Sequence, residues 1–158
     1  MELETIYITY MNDIYRYLYS LTKNHSAAED LLQDTFTKAH ITLLGQEIQD
    51  IKPWLFKVAY YTYIDSTRKE KRYVTSDKID QMHSNTPEQI IVEQDAYLKL
   101  INLLEQIKPI EKQIILLCDV HDCTNEQAAN ILQLNVNTVK SHLARGRKKM
   151  RVLIKREE

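Results

Sequence analysis

The sequence predicts an all-α protein made of two small helical domains joined by a flexible linker. Three observations carry that expectation. Only two Gly and three Pro occur in 158 residues, too few punctuating residues for a protein of hairpins. Apolar side chains recur at spacings of three and four along most of the chain, the period of helices with one buried face. Between residues 73 and 85 that period lapses into a polar stretch carrying Ser76, Asp77, Lys78, Asp80, Ser84 and Asn85. Such a stretch marks a domain boundary. The expected division is a first domain over 1–72, a linker over 73–86 and a second domain over 87–158.

In the first helix, Leu3 to Leu21, the positions Ile6, Tyr10, Ile14, Tyr17, Leu18 and Leu21 keep helical spacing. Asn24 and His25 interrupt it. Ser26 with Glu29 then has the form of a capping box opening a second helix, from Ala27 to about Leu44. This helix has two faces. Ala28, Leu31, Leu32, Thr35, Ala39 and Leu43 suit a core, whereas Glu29, Asp30, Gln33, Asp34 and Thr37 make an acidic, amide-bearing outer stripe. Taken alone, such a stripe is a solvated surface more often than a binding site.

Gly45 to Lys52 reads as a loop, and Pro53 suits the first position of a third helix. Leu55, Val58, Ala59 and Thr62 form its inward stripe. Lys57, Tyr61, Ile64 and Arg68 form another, and the helix ends in Arg68, Lys69, Lys71 and Arg72. Aromatic and basic side chains on one exposed stripe suit a single-stranded nucleic acid, whose bases stack on rings and whose phosphates meet cations. Trp54, Phe56, Tyr60 and Tyr63 are expected to be mostly core.

Thr86, Pro87 and Gln89 restart helix with a cap, a proline at the first position and a glutamine at the third. One helix is expected to run to about Gln106, and Pro109 opens another that leads into Asn125 to Met150. There Thr124 and Gln127 form a capping pair, and Ala128, Ala129, Ile131 and Leu132 supply a small apolar face. Gln133 and Leu134 make a short turn, and Asn135 caps a second helix. On that helix Val139, Leu143, Gly146, Met150 and Leu153 share one inward stripe. Asn137, Lys140, Ser141, Ala144, Arg145 and Lys148 lie opposite. Two short helices, a tight turn and a basic outer face read as a helix-turn-helix that binds DNA.

The totals narrow the function further. With 21 basic against 22 acidic residues, the chain is not a polybasic coat for nucleic acid. Yet every charged residue from Lys140 to Arg156 is Lys or Arg, a local basic surface suited to docking at a defined place. No apolar run approaches a membrane span and no secretory leader is evident, so a cytoplasmic protein is expected. Cys118 and Cys123, with His121 between them, lack the fourth ligand of a tetrahedral metal site and read as free thiols. No Gly-rich phosphate loop and no nucleophile–base set appears, so neither catalysis nor a cofactor is expected.

Three of these stretches together resemble the extracytoplasmic-function group of bacterial sigma factors. Ala28 to Phe36 looks like that family's core-polymerase-binding helix. Trp54 to Ala59, followed by Asp65 and Arg68, looks like its −10 recognition segment. Asn137 to Arg147 looks like its −35 recognition helix. The resemblance implies that Asp30, Gln33, Asp34 and Thr37 contact core RNA polymerase, which would be met at the clamp helices of its largest subunit and the flap of its second-largest. It implies a −10 DNA-binding set of Lys57, Tyr61, Arg68, Lys69 and Arg72, with the Gly45–Lys52 loop capturing a flipped base. It implies a −35 set in which Lys140, Ser141, Ala144 and Arg145 read bases, with Asn137 beside them, and Thr138, Arg147 and Lys148 hold phosphates. Promoter DNA and an anti-sigma factor, in many relatives membrane-anchored, are the further partners it implies.

The chain departs from the family where Tyr60-Tyr61 replaces an Arg-Asn pair, where Ala144 is small, and where Gln133 stands in a turn that often holds Gly. Two rivals remain. One is a LuxR-type regulator, which needs an N-terminal sensor domain and binds duplex DNA without polymerase. The other is a helical module that binds a partner protein and no DNA.

Overall fold

The structure, a computed structural model, describes residues 2–72 and 92–158. The expected linker and the helix start at Thr86-Pro87 lie outside them. All regular structure among the described residues is helical. The chain divides into two compact units, Met1–Thr86 and Pro87–Glu158.

In the first unit α1 (Leu3–Thr22), α2 (His25–Gly45) and α3 (Ile51–Arg72) pack pairwise against one another. Ile6, Ile14, Tyr17 and Leu18 of α1 are buried against Leu31, Leu32 and Phe36 of α2 and Leu55, Phe56 and Ala59 of α3. Tyr17 meets Phe56 edge-on at 5.2 Å, and Tyr7 meets Phe36 at 4.9 Å. Burying each large apolar side chain contributes about 2 kcal/mol. That burial, rather than intrinsic propensity, holds these helices, which would be marginal alone. The buried hydroxyls of Thr35 and Thr62 donate to Leu31 O and Val58 O one turn back, each at 2.7 Å, so neither is stranded in the core.

Two helix starts differ from the sequence reading. Asn24, not Ser26, caps α2: its Oδ1 accepts from the Ala27 N–H at 2.9 Å. The left-handed Lys23 (φ 55°) turns the chain just before it, and asparagine caps as well as serine does. α3 begins at Ile51, so Pro53 sits third rather than first. The N–H groups of a first turn have no intrahelical acceptor, so proline forfeits nothing there. Among the α3 aromatics only Phe56 is fully buried; Trp54, Tyr60 and Tyr63 are half-exposed.

The second unit contains α4 (Val92–Leu104), α5 (Pro109–Ile115), a π-helical turn (Leu116–Val120), α6 (Asn125–Leu132) and α7 (Val136–Glu157). α7 lies against α4, α5 and α6. Its stripe of Val139, Leu143, Gly146 and Met150 is buried as the spacing predicts, with Leu153 half-buried at the end. Both caps predicted for the helix-turn-helix form. Thr124 Oγ1 accepts from the Gln127 N–H while Gln127 Oε1 accepts from the Thr124 N–H, and Asn135 Oδ1 accepts from the Asn137 N–H.

The single helix expected after Pro109 instead widens at Leu116. There the His121 N–H reaches Leu116 O at 3.0 Å, spanning five residues. Glu111 is fully buried in this unit. Its carboxylate accepts from Lys149 Nζ at 2.9 and 3.1 Å and from the Lys108 N–H at 3.1 Å. Burial pushes this carboxyl up. The hydrogen bonds and charges of Lys149 and Lys108 outweigh it and leave the pKa below the ordinary value. No described helix is long and apolar enough to cross a membrane.

Candidate functional site

Three surfaces carry the residues singled out in the sequence. The first is the outer stripe of α2. Because Leu31, Leu32, Thr35 and Phe36 turn into the bundle, Asp30, Gln33, Asp34 and Thr37 are all forced outward. Their spacing of three, one and three residues aligns them along two turns. Among the described residues neither Asp30 nor Asp34 is paired with a cation. The stripe therefore presents bare carboxylates flanked by an amide and a hydroxyl. That is an acceptor-rich edge for a basic protein surface.

The second surface is an open groove of about 570 Å³ between the C-terminal half of α2 and the middle of α3. Trp54, Lys57, Tyr61 and Asp65 of α3 line one side, and Lys38 and Ile41 of α2 the other. Of the sequence-predicted set the groove brings Lys57 and Tyr61 together. Arg68 and Lys69 lie exposed further along α3, with Arg68 3.9 Å from Asp65, and the side chain of Arg72 lies outside the described residues.

Lys38 and Ile41 were missed, because Lys38 sits beside the acidic stripe and reads there as part of a solvated face. In the structure Lys38 Nζ donates to Thr62 Oγ1 at 3.2 Å, and it is paired with no carboxylate among the described residues. The ammonium is held over the groove by a neutral hydroxyl, so its charge is left for an anion. Ile41 is 63% exposed, an apolar wall left mostly open. Aromatic and aliphatic walls with a tethered cation suit unstacked bases on a phosphate backbone.

The third surface is the outer face of α7. Asn137, Lys140, Ser141, Ala144, Arg145 and Lys148 form one exposed stripe, because the opposite positions are buried against α5 and α6. Arg145 is steadied by His142, whose Nδ1 accepts from the guanidinium at 3.2 Å. That contact requires a ring whose proton sits on Nε2. Thr138 is half-buried at the stripe's edge.

Arg147 is exposed but occupied: its Nε and a terminal nitrogen donate to the two carboxylate oxygens of Asp119 at 3.0 and 2.6 Å. Beside that pair, Cys118 is half-buried with its Sγ 3.7 Å from Asn125 Oδ1. Burial first, and then the Asp119 charge, push the Cys118 thiol up to about 11, against a smaller pull from Arg147.

Comparisons with known proteins assign both halves of the chain. Residues 6–73 match the family model for sigma-70 region 2, and residues 97–150 match that for sigma-70 region 4. The chain is similar to the ECF RNA polymerase sigma factor SigM of Bacillus subtilis (strain 168): 32% identical over 158 residues, spanning 99% of this chain and 97% of that one. RNA polymerase sigma factor SigV of the same organism is 31% identical, over 99% of this chain and 93% of its own. Among solved structures, the sigma factor RpoE of Bartonella quintana, crystallised with the anti-sigma factor NepR, is 25% identical with a TM-score of 0.76, covering 96% of each chain. CnrH, solved with the cytosolic domain of CnrY, is 16% identical over 99% of this chain and 89% of its own, with a TM-score of 0.72. That is a likeness of fold.

Proposed function

The chain belongs to the extracytoplasmic-function group of the sigma-70 family, and from that premise we propose how its two units divide the finding of a promoter. It is an alternative sigma factor, a protein that binds core RNA polymerase and directs transcription initiation at specific promoters. Such proteins are initiation factors rather than enzymes. One observation carries the reading: a region 2 match over the first unit and a region 4 match over the second, in that order on one chain. The LuxR-type alternative is not favoured, because region 2 occupies the half of the chain where that reading needs a sensor domain.

In the proposed division, residues 1–72 bind polymerase and the −10 element, 73–86 link, and 87–158 bind the −35 element. Asp30, Gln33, Asp34 and Thr37 dock on the clamp helices of the polymerase's largest subunit, and the second unit meets the flap of the second-largest. The α2–α3 groove holds the opened −10 strand. Bases of the opened strand stack on Trp54 and Tyr61 while phosphates meet Lys38, Lys57, Arg68, Lys69 and Arg72. Extruding a base costs a few kcal/mol, which ring stacking at about 1–3 kcal/mol per base offsets. Tyr61 thereby takes over by stacking what an asparagine would do by hydrogen bonding.

On α7, Lys140, Ser141, Ala144 and Arg145 enter the major groove, and Asn137, Thr138 and Lys148 fix the helix on phosphates. Arg147, the remaining member of the −35 set, stands apart because Asp119 already holds its guanidinium. Two weak readers on one chain act together because polymerase fixes their spacing and raises their effective concentration.

The protein works in the cytoplasm, where polymerase and chromosome are. An anti-sigma factor restrains it by covering the polymerase- and DNA-binding stripes, some copies being held at the inner face of the membrane. The pairing of the similar RpoE with NepR supports such a partner.

Run-off transcription on fragmented host DNA, with core polymerase and with or without this protein, tests the reading. Discrete transcripts that require the protein are expected. Shifts of naked duplex DNA without transcripts would return the LuxR-type regulator, and neither signal from a folded preparation would leave a module that binds protein alone.

A further inference from the structure

We propose that Arg147 is a positioning residue for −35 recognition: clamped by Asp119, it sets the roll of α7 in the major groove. This rests on α7 being the −35 reader. Positions 146, 147 and 149 all address the segment that runs from α5 into the π turn. Gly146 lies so close that a Cβ there would sit 2.9 Å from Ile115 Cδ1 and 3.3 Å from Glu111 Cβ. Lys149 holds the buried Glu111 on one flank, and Arg147 holds Asp119 on the other. Positions 140, 141, 144, 145 and 148 face outward. One turn of α7 is thus fastened on both flanks of its buried stripe, directly behind Arg145 and Lys148.

The π turn is what aims Asp119. A residue in an α-helix advances by about 100° of rotation, and a π turn inserts one residue into that count. Each residue of an i→i+5 turn rotates by less than an α-helical residue, so Asp119, fourth in the turn, takes a bearing that an ordinary α-helical Leu116–Val120 would not give it. The widened turn brings the carboxylate onto the fork of Arg147, 28 residues further along. A forked guanidinium–carboxylate pair constrains orientation as well as distance, which is what a helix offering side chains to base edges requires. A phosphate contact needs only a free charge, and this charge is already neutralised.

The test reconstitutes the full chain with core polymerase and compares transcription from a promoter with its matched −35 element against one carrying −35 substitutions. Salt dependence of binding and thermal unfolding of each variant are recorded alongside. Arg147→Ala and Asp119→Ala are each expected to shrink the matched-to-mismatched ratio by about five-fold or more. The salt slope should stay near wild type, and the double variant should be no worse than either single one. Arg147→Lys, which keeps the charge and loses the fork, should behave like Arg147→Ala. Exchanging the pair, Asp119→Arg with Arg147→Asp, should recover part of the ratio.

The proposal is overturned if Arg147→Ala weakens matched and mismatched promoters alike and lowers the salt slope by about one while Asp119→Ala does nothing; Arg147 is then a phosphate contact. It is equally overturned if both variants lose thermal stability but keep the wild-type ratio. A wild-type protein indifferent to the −35 element would sink the reading of α7 itself, and this inference with it.

Discussion

At the scale of single residues, the turn of the helix-turn-helix shows what a side chain can and cannot announce. Gln133 closes α6 in the left-handed region at φ 58°, a conformation that costs residues with a Cβ about 1 kcal/mol. Gln133→Gly should therefore raise stability by about 0.5 kcal/mol, the relief of strain exceeding the added freedom of the unfolded chain. Denaturant unfolding at constant m would show the gain, and a loss would mean that the Gln133–Asn130 hydrogen bond matters more than the backbone. Arg145 belongs at this scale too. Held by His142 at the centre of the exposed stripe, it should lose about 1–3 kcal/mol of base discrimination when changed to alanine. An unaltered ranking of −35 variants would make Arg145 a phosphate ligand instead. The caps at Thr124 and Asn135 were legible because a cap is a local event, decided within four residues. Ser26 misled because Asn24, two residues earlier, competes for the same task and the left-handed Lys23 is invisible in a sequence.

At the scale of elements, the spacing of apolar residues located the helices and their buried faces, and so also their outer stripes. The stripes are where function was expected; those of α2 and α7 are exposed, whereas on α3 Lys57, Tyr61 and Ile64 are half-buried and only Arg68 stands fully out. The groove between α2 and α3 was only half legible, since Lys57 and Tyr61 lie on one helix but Lys38 and Ile41 join them from another. The widened turn at Leu116 was not legible at all, because one extra residue in the apolar run of Ile114 to Leu117 leaves its pattern unchanged.

The contact of α5 with α7 is the element-scale feature most open to test. Gly146→Val should destabilise the second unit by about 2 kcal/mol, its branches meeting Ile115 and Glu111 before any gain in helix propensity counts. Calorimetry reads that directly. Glu111→Gln should cost about 1–3 kcal/mol at neutral pH. The folded-state pKa of Glu111 lies below its ordinary value of 4.5, so its contribution is complete above about 4.5 and fades as acid protonates it in the folded state. Wild type and Glu111→Gln should therefore converge in stability at low pH; a constant gap across the titration would refute the ion pair's part in it.

At the scale of the whole molecule, an assembly role makes distinct surfaces interdependent. Asp34 touches no DNA in the proposed arrangement, yet both DNA readers rely on the polymerase that its stripe recruits. Asp34→Arg should weaken polymerase binding by about ten-fold or more through like-charge contact. Transcription from every promoter should fall by the same factor and recover when the protein is added in excess. Promoter-selective loss would move Asp34 out of the polymerase interface. The two cysteines have a more practical bearing. Cys123 is buried, and burial pushes the Cys118 thiol up to about 11, so it stays almost wholly protonated at pH 7. Maleimide dyes react through the thiolate, so the native chain is close to a blank background for labelling. A cysteine placed at any exposed position of either unit should take up fluorophore selectively, and energy transfer between two such labels can follow the units through polymerase binding with both native thiols left in place.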